Sequence, residues 1–274
     1  MADELEQARK ALRELRKSLK SLPGDTAPKA VHKLRTASRR VEALAAALSV
    51  GDRKQVHRLL QSIEPVRRAA GGVRDMDVLM AHARRLTRVP TGNSLIRLAE
   101  HLAGVRQEKA DELRRVLDRR RKASLESLKQ YSKFVKSALA GAKPAAPRQP
   151  GLSLKKVRAA AMELQRELGA WPPLKAGNLH AFRLKVKLLR YTLQLDAEAE
   201  PRLVEALGEV QRLVGDWHDW QQLEEIAREV LDAKRDAVLL DRIGRTTKRR
   251  FAQSLSAANR LRRRYLAMPP ANGV

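Results

Sequence analysis

Leu5, Leu12, Leu15, Leu19 and Leu22 recur at the three-and-four spacing of a helix, with polar or charged residues filling the positions between them. The pattern predicts a first helix over about 3–22, broken by Pro23, Gly24 and Asp25. Asp25 or Thr26 can cap a second helix, which has Pro28 near its first turn and runs past His32 to about Leu48. Gly51 and Asp52 precede a third helix that is expected to end near Gly71 and Gly72, where backbone freedom is greatest. A shorter helix from Asp75 to about Thr87 leads into Pro90, Thr91, Gly92 and Asn93, and a long charged helix is expected from Ser94 to about Leu139. Residues 140–151, AGAKPAAPRQPG, contain three prolines and two glycines and read as a linker. Beyond it helical periodicity resumes at about 152–169, 176–195, 201–214, 219–232 and 236–267, with Pro172 and Pro173 breaking the first pair. The fold class this predicts is all-α.

The second half repeats the design of the first. VHKLRTASRRV at 31–41 lines up with LHAFRLKVKLL at 179–189, pairing His32 with His180, Arg35 with Arg183 and Arg39 with Lys187. VRRAAGGVRDMDVL at 66–79 lines up with VQRLVGDWHDWQQL at 210–223, pairing Gly71 with Gly215 and Asp75 with Asp219 at nearly the same offset. An internal duplication is expected, with a first helical half over 1–139, the linker over 140–151 and a second half over 152–274.

Charge changes what this scaffold is expected to do. The 274 residues carry 57 Lys and Arg against 31 Asp and Glu, a net charge of +26, which points to a polyanionic partner. At 43% apolar residues the chain can bury an ordinary core and is not a disordered basic tail. Three Trp, three Tyr and three Phe are too few for base stacking to be the main binding device. With no cysteine, disulfides, zinc fingers, iron–sulfur ligation and thiol catalysis are excluded. The first residues lack the apolar core of a secretory signal, and no stretch reaches the roughly 18 apolar residues of a membrane span, so a soluble cytoplasmic protein is expected.

In each half the spacing His, then Arg three on, then Arg or Lys seven on places the groups at about 0°, −60° and −20° around a helix, one cationic stripe. Like charges this close repel, so the stripe fits an anion lying over it; an ordinary solvated face is the competing reading. Arg9, Arg13, Arg16 and Lys20 form a second row beside the leucines of the first helix, able either to line a groove or to cover apolar surface with their stems. Denser runs include Arg114 and its neighbours to Arg121, and Lys248, Arg249 and Arg250 with Arg262 to Arg264; they wrap around their helices, so only some members can face one ligand. Asp75 and Asp219 read as ion-pair or capping carboxylates rather than metal ligands or general bases, because no companion His and Asp cluster stands at ligand spacing. His57, His82 and His101 read as surface or edge residues, and Trp171, Trp217 and Trp220 as packing anchors of the second half.

VHKLRTASRR, VRDMDVL, LHAFRLKVKLLRY and VGDWHDW, in this order over nearly the whole chain, resemble the CHAD domain family. The resemblance implies two pseudo-symmetric antiparallel four-helix bundles packed around a basic central groove or pore, which binds inorganic polyphosphate without catalysis. It implies phosphate contacts from His32, Arg35, Arg39 and Arg40 and from His180, Arg183, Lys187 and Arg190, extended by basic residues of neighbouring helices: Arg9, Arg13, Arg16, Lys20, Arg114, Lys248 and Arg249. Two positions depart from the repeat: Leu188 stands opposite Arg40, and His218 opposite Arg74. The physical case runs alongside, since a linear phosphate polymer offers anionic oxygens and no bases and so asks for Arg and Lys rather than aromatic faces. No cofactor or metal is expected. Association with polyphosphate granules is an implication of the resemblance.

Two other function classes remain compatible with the charge. Nonspecific nucleic-acid binding needs little more than +26, although no helix-turn-helix, zinc, RRM or basic-zipper signature is present. Phosphoanhydride chemistry lacks a GxxxxGK[ST] loop and an ExExK-type metal motif.

Overall fold

Helical periodicity in the sequence becomes helix in the structure almost wherever it occurs. The computed structural model describes residues 2–22, 26–47, 53–87, 92–140, 154–194, 196 and 198–266. Among the described residues there are eight α-helices and no strand: α1 (Ala2–Ser21), α2 (Pro28–Ala47), α3 (Arg53–Arg84), α4 (Ser94–Ala140), α5 (Leu154–Gly169), α6 (Ala176–Leu193), α7 (Pro201–Val230) and α8 (Ala237–Leu261). A π-helical turn over Arg262–Leu266 continues α8. The all-α class is as expected. The breaks at Pro23 to Asp25, at Gly51 and Asp52 and at Pro90 and Thr91, and the linker beyond Ala140, lie outside the described residues.

Two expected breaks do not exist. The third helix does not stop at Gly71 and Gly72; α3 runs through both, and through Pro65, to Arg84. The separate helices expected at 201–214 and 219–232 are likewise one, α7, which passes through Gly215 without interruption. A glycine inside a helix costs only about 0.5–1 kcal/mol relative to alanine. Buried Ala69, Ala70 and Val73 around the first pair, and buried Val214 and Trp217 around Gly215, gain more than that by staying in register with the core.

The chain divides into two compact units, Met1–Ala81 with Glu100–Gly151, and His82–Ala99 with Leu152–Val274. Residues 82–99, assigned to the first half on sequence, thus cluster with the second unit.

In the first unit one apolar cluster gathers Leu12, Leu15 and Leu19 of α1, Val31, Leu34 and Val41 of α2, Leu59, Ile63 and Val66 of α3, and Leu113, Leu117 and Tyr131 of α4. A nearly buried ion pair ties it together: Arg106 Nε donates to Asp77 Oδ1 at 2.7 Å, and its Nη2 to the Thr26 carbonyl at 2.7 Å, holding the entry to α2 against α4. At the other end of α2, Arg40 Nη1 meets Glu14 Oε2 of α1 at 2.8 Å.

The second unit has its own cluster, built on Leu168 of α5, Phe182, Val186 and Leu189 of α6, Leu207, Val210 and Val214 of α7, and Ala258 and Leu261 of α8. Trp171 meets Phe182 edge-on at 5.7 Å and Trp217 packs on Phe251 at 5.2 Å, so these tryptophans pack as anchors, as expected. Asp236, just before α8, accepts from Ser94 Oγ at 2.5 Å, from Arg97 and, through Oδ2, from the Asp232 N–H at 2.9 Å. Arg262 Nη2 donates to the carbonyls of Gly169 and Trp171, which would otherwise be left open at the end of α5. His82 departs from expectation: it is not a surface or edge residue but only 4% exposed, whereas His57 and His101 are exposed. Its ring is drawn in by stacking on Trp220, an aromatic partner far away in sequence.

Candidate functional site

The basic row of the second unit is built on α6. Leu179, Phe182, Val186 and Leu189 point into the core, and at 100° per residue this turns His180, Arg183, Lys187 and Arg190 to the flank of the helix next to α7. The two helices run antiparallel there. His180 stands beside His218 with ring centroids 4.7 Å apart, Arg183 beside Gly215, and Arg190 beside Gly208. Arg183 Nε donates to the Gln211 backbone carbonyl at 3.0 Å, and Arg190 Nη1 to the Gln211 side-chain oxygen at 3.2 Å. Both guanidinium groups are thus oriented from one residue of α7.

Glycines face both guanidinium groups, and the closer approach is at Gly215. A Cβ added at Gly215 would lie 3.1 Å from Arg183 Nη2, and one at Gly208 would lie 3.4 Å from Arg190 Cζ. Lys187 projects its ammonium toward the Tyr191 ring, 5.7 Å from the centroid. His180 is held below the ordinary histidine value, first by partial burial and then by the Arg183 charge. It is therefore mostly neutral at pH 7 until an anion approaches.

In the first unit the corresponding stripe lies on α2. His32 is exposed, while Arg35 and Arg39 are half-buried. Arg35 Nη2 lies 3.9 Å from Asp75 Oδ1 on α3, and Arg67 of α3 meets Glu42 of α2 at 3.3 Å. Asp75 thus acts as an ion-pair carboxylate, as expected on sequence. Arg35 meets Asp75 of α3, whereas Arg183 donates to a backbone carbonyl of α7, and no atom comes within 4 Å of a Cβ at Gly71.

The remaining sequence-selected cations are placed variously. Arg40 stands about 80° round α2 from His32, in its ion pair with Glu14. Arg114 is engaged by Asp111 and by Thr26 Oγ1, the latter at 3.1 Å. Lys248 and Arg249 are exposed on α8, and Arg9, Arg13, Arg16 and Lys20 are exposed on α1. Sequence reasoning missed Gln211 and Gly208. The signal that could have found them is the seven-residue spacing of Gly208 and Gly215 with Gln211 between, which places all three on one flank of α7. Among the described residues no three His, Cys, Asp or Glu side chains gather as metal ligands, and no helix is long and apolar enough to cross a membrane.

In class, this is a protein whose described residues are all-helical, with one basic helix face on α2 and another on α6. The sequence profile of the CHAD domain matches residues 6–228, so the chain belongs to the CHAD domain family, which is generally a binding family and is associated with polyphosphate. No curated protein matches the chain.

Proposed function

We propose that this protein binds inorganic polyphosphate without transforming it, through the duplicated rows His32, Arg35 and Arg39 on α2 and His180, Arg183, Lys187 and Arg190 on α6. The observation that carries the reading is the seating of Arg183 and Arg190 along α7: two guanidinium groups on one flank of α6 held in fixed directions by Gln211. Fixed guanidinium forks suit phosphate oxygens, which accept charge-assisted bonds from more than one N–H at a time. His180 adds a donor that an anion would switch on by favouring its protonated form. Lys248 and Arg249 extend the positive field, whereas Arg40 and Arg114 reach phosphate only by exchanging it for Glu14 and Asp111. Family membership supports the ligand class. The two rows are read as copies of one ancestral bundle, and polyphosphate granules as the place where such binding would bring the protein.

Calorimetric titration with long-chain polyphosphate at near-physiological salt, with and without duplex DNA as competitor, tests the reading. Binding is expected to survive the DNA, to weaken steeply with added salt as counterions are released, and to fall in a His32→Ala/His180→Ala double variant. Displacement by DNA, or indifference to both histidines, would return the rows to ordinary basic surface. For the cellular part, a fluorescent fusion should collect on granules; diffuse signal in granule-containing cells would count against it.

A further inference from the structure

The cationic row of α1 is not a continuation of the α2 row. Measured around α1 from Arg13, the core-facing Leu12, Leu15, Leu19 and Leu22 centre at about 220°. Arg9, Arg13, Arg16, Lys17 and Lys20 centre about 120° to one side of that seam, and Glu14 about 120° to the other. Glu14 is the residue that reaches Arg40 of α2. The cations of α1 are therefore turned away from this contact, and on α2 Arg40 itself stands roughly 80–140° round the helix from His32, Arg35 and Arg39. Two positive faces of the same unit are separated by the α1–α2 ion pair.

The α1 face has the makings of a site in its own right. Arg13, Arg16, Lys17 and Lys20, with Ser21, line a shallow hollow along the last two turns of the helix. All five are exposed, and none of the four cations has a carboxylate within ion-pair range among the described residues. On α4, by comparison, several cations are matched, Lys109 by Glu112, Arg114 by Asp111 and Lys129 by Glu126. Four like charges over two turns of helix repel one another. A ligand with several closely spaced negative groups relieves that repulsion at all four positions together, which a single chloride or carboxylate does not.

We propose that the α1 face formed by Arg13, Arg16, Lys17 and Lys20 is a second attachment site for phosphate polymer, separate from the α2 row, so that one protein molecule can hold two polymer stretches at once. The proposal takes its ligand class from the function proposed above. A protein with two such faces cross-links long chains by multivalency, an outcome that a single track does not give.

The test pairs two measurements on the full chain. Titration with a short oligophosphate counts binding events, and light scattering with long-chain polyphosphate detects cross-linking. An Arg13→Ser/Arg16→Ser/Lys17→Ser/Lys20→Ser variant alters only exposed side chains. It should lose one binding event and most of the scattering while keeping the remaining affinity within about two-fold. A His32→Ala/Arg35→Ala/His180→Ala/Arg183→Ala variant should keep the α1 binding event, so failure of the α2 and α6 reading shows up separately. Unchanged stoichiometry and scattering in the α1 variant would overturn the proposal, as would an α1 face that takes up duplex DNA but no oligophosphate.

Discussion

The His82 imidazole is stacked on the Trp220 indole, with ring centroids 4.7 Å apart and planes inclined by 27°. Around it are Asp216, 3.7 Å from Nε2, Arg85, 3.3 Å from Nδ1, and Arg250, which is paired with Asp216 at 3.0 Å. Burial holds His82 below the ordinary histidine value; Asp216 pulls the other way, and Arg85 and Arg250 reinforce the burial. The unfolded chain therefore takes up this proton first as pH falls through about 6.5, and the folded state loses stability below that point. Thermal unfolding at pH 7.5 and pH 5.5 should show a lower Tm at the acid end, with a smaller drop in a His82→Phe variant that keeps a ring against Trp220. An equal drop in both would assign the acid sensitivity to other groups.

Polyphosphate affinity should rise as pH is lowered from 7.5 to 6. His180 is held below its ordinary value in the free protein, and a phosphate chain beside it pulls that value up, so binding takes up a proton. Titrations in buffers of different ionisation enthalpy would register the uptake. In a His180→Ala variant it should shrink and the pH dependence flatten.

Crowding the seat of Arg183 should weaken binding without unfolding the chain. A Gly215→Val side chain begins 3.1 Å from Arg183 Nη2 and pushes the guanidinium off Gln211. Loss of one charge-assisted contact, about 1.5–3 kcal/mol, corresponds to roughly ten-fold or more in affinity. Gly208→Ala, with its looser 3.4 Å approach to Arg190, should cost less. Calorimetry read beside circular dichroism separates lost binding from lost structure.

Asp236 should shape the acid limb of stability. Hydrogen bonds from Ser94 and Arg97 lower its carboxyl to about 2. Its contribution is therefore complete above the unfolded value near 3.8 and disappears as pH falls toward 2. An Asp236→Asn variant should melt at lower temperature at pH 7 and show a shallower decline between pH 4 and pH 2; parallel curves would place the acid-labile group elsewhere.

The all-α class was legible from leucine spacing alone, because an amphipathic helix writes its buried face into the sequence at fixed intervals. The basic rows were legible too, since His180, Arg183 and Lys187 share a stripe by helical geometry whatever packs beside them. What sequence could not supply was the partner across the stripe. Gln211 is one polar residue among many until α6 and α7 are set side by side, and His82 is one histidine among six until Trp220 is laid over it. The breaks expected at Gly71 and Gly215 failed for a related reason. Local backbone preference is worth less than the core contacts on either side, and those contacts are tertiary.

Of the two glycines Gly208 and Gly215, the second sets the interests of α7 against those of Arg183. Each glycine weakens the helix by about 0.5–1 kcal/mol relative to alanine, so on propensity alone replacement would toughen the protein. At Gly215 the same methyl group would crowd the Arg183 guanidinium, whereas at Gly208 it would meet Arg190 at ordinary contact distance. A variant improved by screening for heat resistance alone is expected to fill both positions and, through Gly215, to lose grip on its ligand, whereas lineages kept for binding would retain a helix softer than it needs to be.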